Sequence, residues 1–206
     1  MKSYEEQSRK TDFILNKAFQ LFLSKEYVDV TTGDLEAATG ISRGSIYYRT
    51  KNKEGLYRAV INKYVFDFLS SGLDAEITTS PETPFWDFLM HDLDLIEERM
   101  KAVKTDNPSD KISMQYVNLL VSACFHYKDF KKKYNEIERL ISEQWLHYYN
   151  LGIKCGELRG NVSPEVVISM FRSLYYGDSF CLSITNDGLD IDALREKHIL
   201  LYNAIK

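Results

Sequence analysis

Proline, glycine and cysteine are all scarce in this sequence. It has 4 Pro and 10 Gly among 206 residues. Hairpins and sheet corners tend to need these two residue types, so their scarcity argues against a many-turned β-sandwich and favours long helices. The 3 Cys are far apart and lack the C-x-x-C spacing of a structural zinc site. We therefore expect an all-α protein whose cysteines are reduced thiols in the core.

Recognisable catalytic and metal-binding motifs are also missing. The 4 His form no H-E-x-x-H pair, and no Ser/His/Asp order, phosphate-binding loop or motif of paired carboxylates is present. Asp92 and Asp94 are interpreted as part of a solvated helix face. We expect no enzymatic activity, no metal and no cofactor.

Long apolar runs are absent as well. The first residues, MKSYEEQSRKTDF, are almost wholly polar, which does not fit a signal peptide or a membrane span. The hydrophobic content of 44% is nevertheless sufficient for a buried core. We expect a cytoplasmic protein that has no membrane partner.

Charge is distributed unevenly along the chain. Residues 1–63 contain 11 Lys and Arg and 8 Asp and Glu, a net +3, whereas the remaining residues contain 15 and 22, a net −7. A basic N-terminal segment on an acidic body is typical of a nucleic-acid-binding head joined to a non-binding body. A difference of this size also fits ordinary surface variation.

The first seventy residues predict a long helix, two short helices and another long helix. Apolar residues at helical spacing predict the first from about Glu5 to Ser24. Thr31 and Asp34 form a T-x-x-D capping arrangement for the second, and Gly40 ends it in the left-handed conformation. Ser42 is the natural N-cap of a third helix carrying Arg43 to Arg49, and Asn52 caps a fourth that continues to Gly72.

The rest of the chain predicts helices only. The segment from Ser70 to Pro84 has weak periodicity and two prolines, so it indicates a connection between an N-terminal domain, residues 1–70, and a helical domain, residues 71–206. The last helix carries apolar residues in steps of three and four from Ile191 to Ile205. Such a seam fits packing within one chain as well as it fits dimerisation.

Two short helices joined by a glycine-containing turn of three or four residues have helix-turn-helix geometry, in which the second helix enters the DNA major groove. Arg43 can pair with a guanine edge, Ser45 can make a smaller polar contact, and Gly44 has no side chain to hold the helix away. Each residue also has an ordinary structural interpretation as surface charge or core. Tyr47, Tyr48 and Lys53, the last in the first turn of the fourth helix, are expected where phosphates run along the groove walls. The predicted DNA-binding residues are Thr31, Ser42, Arg43, Gly44, Ser45, Tyr47, Tyr48 and Lys53.

The run from Ile14 to Leu56, and GISRGSIYY…KNKEGL within it, resembles the N-terminal DNA-binding domain of the TetR family of transcriptional regulators. The resemblance covers roughly residues 10–58. It implies an all-helical regulatory domain whose last two helices pack against the same pair in a second subunit. The dimer-interface residues predicted on this basis are Met170, Leu174, Ile191, Leu194, His198, Leu201 and Ile205.

Three positions depart from the pattern of that family. Glu26 replaces a usual glycine, so the turn after the first helix must form without an easy left-handed residue. Glu36 replaces a usual alanine. Thr50 replaces a usual phenylalanine, which should remove a core contact beneath the recognition helix worth about 1–3 kcal/mol.

These features predict a dimeric repressor that binds a near-palindromic duplex and is released by a small apolar or aromatic effector. The alternative is a DNA-binding regulator without such an effector, controlled by a protein partner or by abundance. Aromatic stripes are more often plain core than a pocket. The predicted effector-pocket residues are Trp86, Met90, Met114, Phe125, Trp145, Tyr149, Phe171 and Tyr175.

Overall fold

A computed structural model describes residues 2–73, 75–106, 109, 111–186 and 188–206. These residues are mostly helical, with no strand among them, and a longer connection lies between Ser70 and Pro84. The helices are α1 (Lys2–Ser24), α2 (Thr32–Thr39), α3 (Arg43–Ile46), α4 (Lys53–Ile61), a π-helical segment (Asn62–Phe66), α5 (Asp67–Ser70), α6 (Pro84–Asp106), α7 (Ile112–His126), α8 (Phe130–Cys155), α9 (Pro164–Thr185) and α10 (Ile191–Ile205). The all-α prediction is confirmed.

Local signals set the ends of the short N-terminal helices as predicted. The Thr31 hydroxyl accepts the Asp34 N–H at 3.1 Å, while the Asp34 carboxylate accepts the Thr31 N–H at 2.8 Å, which completes the capping box. Gly40 has a φ of 66° and ends α2 in the left-handed region. The Asn52 side chain accepts the Gly55 N–H at 2.8 Å at the start of α4.

The third and fourth helices differ from their predicted extents. Helix α3 ends at Ile46 rather than Arg49, and a turn leads to Lys51, whose φ is 69°. The helix that was expected to run unbroken to Gly72 contains the π-helical segment between α4 and α5. Within that segment the Asn62 amide oxygen accepts bonds from the Tyr127 hydroxyl at 2.8 Å and the Lys133 ammonium at 3.0 Å.

The chain divides into two compact units. The first contains the segment up to Ser70 together with residues 115–135, and the second contains residues 71–114 and 136–206. The division expected from the sequence, at residue 70, assigned residues 115–135 to the second part. Helices α7 and α8 therefore have residues in both units.

The first unit has an aromatic core. Phe19 stacks on Tyr64 with ring centroids 4.1 Å apart, and the ring of Phe22 meets Tyr57 edge-on at 4.8 Å. The Tyr57 hydroxyl donates to Ser122 at 3.4 Å, and the Tyr116 hydroxyl donates to the Tyr64 carbonyl at 2.9 Å. Residues of α7 thus form part of the packing around the helix-turn-helix.

The second unit is built around Phe85. Its ring contacts the rings of Trp145, Tyr149 and Phe171 at centroid distances between 5.7 and 6.1 Å. Beneath it the buried Glu157 carboxylate accepts the Phe85 N–H at 2.9 Å and the Trp86 N–H at 2.8 Å. A carboxylate at this place satisfies two of the otherwise unpaired N–H groups at the start of α6.

Two expectations about side-chain environment were wrong. Cys124, Cys155 and Cys181 are free thiols but exposed, not core residues. Asp94 is exposed as expected, whereas Asp92 on the same helix is partly buried. None of the described helices is both long and apolar enough to cross a membrane.

Candidate DNA-binding site

The first turn of α3 presents its side chains to solvent. Ser42, Arg43, Gly44 and Ser45 are all exposed, while Ile46 is buried and anchors the helix to the first unit. A single turn of helix thus has an apolar side facing the core and a continuous polar side facing outward. This is the surface that a helix needs to enter a groove of DNA.

Two side chains on this surface remain available for a ligand. The Arg43 guanidinium has no ion-pair or hydrogen-bond partner among the described residues, and the Tyr48 ring is 81% exposed. Gly44 has open space where a Cβ would lie, with no atom within 4 Å. The fold itself therefore does not require glycine at position 44.

Thr31 is committed to capping. In addition to its backbone bonds with Asp34, its hydroxyl donates to the Asp34 carboxylate at 2.7 Å. The Lys25 ammonium also donates to this carboxylate at 2.8 Å, and hydrogen bonds from Lys25 and then Thr31 hold the pKa of Asp34 below its usual range. Thr31 shapes the start of α2, and a DNA contact by it stays a prediction.

Tyr47 lies mostly in the core instead of on the outer face. Its side chain is 9% exposed, and its hydroxyl lies 3.3 Å from the Thr32 hydroxyl. The sequence left open whether this tyrosine is core or a phosphate contact. Its position connects the end of α3 to the first turn of α2, so it positions the helix more directly than it presents itself to DNA.

Lys53 is the predicted phosphate ligand whose surroundings differ most from expectation. Its ammonium donates to the Tyr27 carbonyl at 2.8 Å and to the Val30 carbonyl at 2.9 Å, and it lies 4.5 Å from the centre of the Tyr27 ring. The Val28 carbonyl is a third acceptor at 3.4 Å. An ammonium has three hydrogens, so these bonds employ all of them to hold the turn before α2.

The structure also accounts for two of the departures from the family pattern. Lys51 is the only described non-glycine residue with positive φ, so the turn at Glu26 forms without a left-handed residue, as expected. The Glu26 carboxylate instead accepts the Asn118 amide at 2.8 Å. Thr50 borders an open groove of about 410 Å³ that is lined by apolar residues such as Ile14 and Leu15 together with polar residues of α1 and α3. Its buried hydroxyl has no partner among the described residues.

The third departure, Glu36, makes a hydrogen bond that the sequence did not reveal. Its carboxylate accepts the Arg43 backbone N–H at 2.6 Å, across the turn between α2 and α3. Ser42, the expected N-cap, has the right backbone conformation but its hydroxyl makes no capping bond. No local sequence signal marks this pair, because the two residues are seven positions apart and lie on different helices.

The residues predicted for a dimer interface divide between two environments. Leu194, His198 and Ile205 are buried in the core of the protomer itself, at 0%, 1% and 8% exposure. Met170 is exposed, and Leu174 and Leu201 are partly so. The apolar seam predicted in the last helix therefore packs largely within one chain. The side of that helix that faces outward includes Leu200, next to Leu201 in the sequence, and Leu200 is 73% exposed.

The residues predicted to line an effector pocket do not all come together. Trp145, Tyr149 and Phe171 are at most 2% exposed and pack around Phe85. Partly buried positions are held by Trp86, Met90 and Tyr175. Met114 and Phe125 on α7 are exposed, at 43% and 80%.

A glycine-ended α2, a short α3 with an exposed basic first turn and an all-helical second unit define a helix-turn-helix protein. Residues 14–60 match a family described as "Bacterial regulatory proteins, tetR family". Over these residues the chain is similar to the regulators of the TetR family.

Two relatives with known roles match part of the chain. One is the HTH-type transcriptional repressor ComR of Escherichia coli (strain K12), 40% identical over 57 residues. Another is IcaR of Staphylococcus epidermidis, the negative transcriptional regulator of the biofilm operon icaADBC, 36% identical over 61 residues. Each match covers 28% of this chain, and the chain spans only 27% and 33% of these two proteins.

The fold as a whole is similar to that of a solved structure of SmeT in complex with triclosan. The TM-score is 0.68 with 16% sequence identity, over 96% of this chain and 92% of that one. At this identity the similarity concerns the fold only. It extends over both units, whereas the family model matches residues 14–60 of the first.

Proposed function

We propose that this protein is a homodimeric, cytoplasmic transcriptional regulator that binds a specific near-palindromic DNA sequence and represses transcription. The observation that carries the proposal is the exposed first turn of α3, with Arg43, Gly44 and Ser45 outermost, in a TetR-family domain. Repression is supported by two relatives that match part of the chain, since both are described as repressors or negative regulators.

Base recognition comes from the outward side of α3. Arg43 has no partner within the described residues, so its two parallel N–H groups can donate to the O6 and N7 of a guanine. Ser45, one position beyond Gly44, can reach a neighbouring base or phosphate. Tyr48 follows at the end of the turn, where an exposed hydroxyl suits a phosphate oxygen.

Dimerisation is assigned to α9 and α10. These helices border an open groove of about 530 Å³ with a predominantly apolar lining. Its residues are Met170, Ser173, Leu174, Lys197, Leu200, Leu201 and Ala204. A two-fold arrangement of two such faces would set two α3 helices into successive major grooves about 34–36 Å apart.

Control of DNA binding would pass through α7 and α8. Both helices have residues in each unit, and in the first unit Tyr116 and Tyr127 donate hydrogen bonds to Tyr64 and Asn62 of the π-helical segment. π-helical turns inside α-helices occur often at functional sites. A ligand in the second unit that favours one arrangement of α7 and α8 would shift DNA binding by its differential affinity.

The proposed effector is a small apolar or aromatic molecule. The structural similarity to SmeT solved with triclosan supports including such a compound among the first to be tested. Of the predicted pocket residues, the partly buried Trp86, Met90 and Tyr175 are the best placed to contact a ligand without displacing the core.

One observation favours a second candidate. Trp145, Tyr149 and Phe171 fill the centre of the second unit and contact Phe85 directly. A ligand that used these side chains would have to separate close-packed rings, which is unfavourable. A regulator without a small-molecule effector, controlled by a protein partner or by abundance, agrees with this packing.

The function is tested by selecting bound duplexes from a random DNA pool and titrating salt against the enriched sequence. We expect a two-fold-symmetric motif whose affinity falls steeply with salt, because several phosphates are neutralised. No enrichment at low salt would contradict the proposal. A thermal-shift series with triclosan and other aromatic compounds distinguishes the two candidates, since stabilisation together with weaker operator binding supports an effector.

A further inference from the structure

At the start of α3 the Arg43 N–H donates to Glu36, although Ser42 was expected to cap this helix. Helix α3 has only four residues, so its N–H groups find few intrahelical acceptors. The Ser42 carbonyl accepts the N–H groups of Ser45 at 2.9 Å and Ile46 at 3.0 Å, but the Arg43 N–H would be left unpaired by the helix alone. The Glu36 carboxylate is the group that pairs it, at 2.6 Å.

We infer that Glu36 is a positioning and specificity-determining residue of the DNA interface. This inference rests on the proposed DNA-binding function. Glu36 lies on α2, which is fixed by the capping box at Thr31 and by Gly40, so its carboxylate ties the start of α3 to the better-anchored helix. The backbone atoms that it fixes belong to Arg43, the residue assigned to base recognition.

A single helical turn has little rigidity of its own. Helix nucleation is unfavourable, and a four-residue helix has no length over which further hydrogen bonds compensate. A charge-assisted bond from a carboxylate to a backbone N–H is short and stronger than one between neutral groups. Losing it would leave the Arg43 side chain with a wider range of positions, and geometric precision is what bidentate pairing with a base requires.

The charge of Glu36 has a second effect on DNA binding. The residue is exposed, and its carboxylate lies against the turn of α3 that would enter the groove. A negative charge there opposes attraction to phosphates on any sequence. The charge of Glu36 therefore weakens binding to operator and unrelated DNA alike, whereas its hydrogen bond supports the geometry of the base contact. Only the hydrogen bond raises the ratio of specific to non-specific affinity.

Two substitutions separate these effects. Glu36→Ala removes both the acceptor and the charge, whereas Glu36→Gln keeps an amide oxygen that can accept the Arg43 N–H and removes only the charge. Asp29→Asn is the matched control, because Asp29 is an exposed acid in the same unit that lies outside α2 and α3. Affinities for the selected operator and for an unrelated duplex are measured at two salt concentrations, well below the melting temperature of each variant.

We expect Glu36→Ala to lower the ratio of operator affinity to unrelated-duplex affinity about tenfold, the size of effect typical of a lost N-cap. Glu36→Gln should retain that ratio within about threefold while binding both duplexes more tightly, and Asp29→Asn should leave the ratio unchanged. An unchanged ratio in a fully folded Glu36→Ala variant would overturn the inference. An equal loss in Glu36→Gln would also overturn it, because the charge and not the hydrogen bond would then be responsible.

Amide hydrogen exchange at Arg43 keeps the test independent of DNA. We expect the Arg43 N–H to exchange faster in Glu36→Ala than in wild type and to stay protected in Glu36→Gln. Rapid exchange in the wild type would mean that Glu36 does not hold α3. If the wild type selects no DNA sequence but the Arg43 N–H exchanges slowly, the proposed DNA-binding function is wrong while the hydrogen bond from Arg43 to Glu36 is confirmed.

Discussion

Two glycines in the first unit have opposite structural roles. A Cβ on Gly55 would lie 1.9 Å from the Thr50 carbonyl oxygen, whereas a Cβ on Gly44 would meet nothing within 4 Å. The fold therefore needs glycine at position 55, because the backbone of the α3–α4 turn passes against it. At position 44 a Cβ would clash with no atom of the protein, so the missing side chain leaves room for a molecule that approaches α3 from outside.

Alanine substitutions at these two positions should separate folding from DNA binding. We expect Gly55→Ala to destabilise the first unit by roughly 2–4 kcal/mol. Gly44→Ala should leave stability unchanged or raise it by up to about 1 kcal/mol through helix propensity, yet weaken operator binding about tenfold by holding α3 away from the groove. Thermal denaturation and operator titration measure both, and full DNA affinity in Gly44→Ala would refute close approach at α3.

The partly buried Asp92 makes stability depend on pH. Burial raises the pKa of its carboxyl group to about 6, against the opposing influence of Arg99 and Arg172. Because the folded-state pKa lies above the unfolded value near 4, the folded state is most favoured while the group is protonated. Stability from this group therefore declines as the pH rises from about 4 to 6.

Asp92→Asn removes this decline. Relative to wild type, the variant should gain about 3 kcal/mol of unfolding free energy between pH 3 and pH 7, the equivalent of a shift of about two pKa units. Asp94→Asn serves as the control, because Asp94 is exposed and pairs with Arg195 at 2.8 Å. Urea denaturation at several pH values gives the comparison, and parallel curves for wild type and Asp92→Asn would exclude this role for burial.

At the scale of elements, Glu157 connects three helices of the second unit. Besides the two N–H groups at the start of α6, its carboxylate accepts the Tyr202 hydroxyl of α10 at 2.9 Å. Burial and then this hydrogen bond raise the pKa of Tyr202. Glu157 itself follows the end of α8 and is 7% exposed. Breaking a buried, fully bonded carboxylate site leaves several donors unsatisfied.

We expect Glu157→Ala to destabilise the protein by about 3–4 kcal/mol. Glu157→Gln should have a smaller effect, about 1–2 kcal/mol, because its amide oxygen still accepts one or two of the bonds. Tyr202→Phe, which removes one donor only, calibrates the contribution of the α10 contact. In denaturant titration the loss of unfolding free energy should be largest for Glu157→Ala, smaller for Glu157→Gln and smallest for Tyr202→Phe. A Glu157→Ala variant as stable as wild type would contradict the role assigned to Glu157.

Local features of the elements were predictable, and contacts between elements were not. The capping box at Thr31, the left-handed Gly40 and the Asn52 cap depend on residues three or four positions apart, so the sequence displays them directly. Glu36 with Arg43, and Glu157 with α6, join residues on separate helices. Periodicity cannot reveal such pairs, because they depend on how the helices pack.

In the candidate site, too, local features were predictable from the sequence and contacts between separate parts of the molecule were not. Arg43, Gly44 and Ser45 were identified from the turn pattern and are exposed as a DNA-binding helix requires. Lys53 was predicted to contact phosphate from its charge and its place in the first turn of α4, but its ammonium donates to the carbonyls of Tyr27 and Val30. In α10 the period was right, yet the sequence could not show which side of the helix faces the core.

The exposed apolar residues of α9 and α10 predict that the protein is a dimer. Leu200 is 73% exposed beside Met170, and an apolar surface of this kind favours association with a second copy. Leu200→Glu should convert a dimer into a monomer by placing a charge in the interface, while Val121→Glu, on the 50%-exposed Val121 of α7, should not. Sedimentation equilibrium distinguishes them, and a Leu200→Glu dimer as tight as wild type would move the interface elsewhere.

The most direct measurement for the account as a whole is the base preference of Arg43→Ala. Selection on a randomised half-site is carried out with wild type and with the variant, and the preference at each position is compared. If α3 reads DNA through Arg43, the variant should lose a guanine preference at one position in each half of a two-fold-symmetric motif and retain the others. The same motif from both proteins would contradict the claim that the first turn of α3 recognises bases.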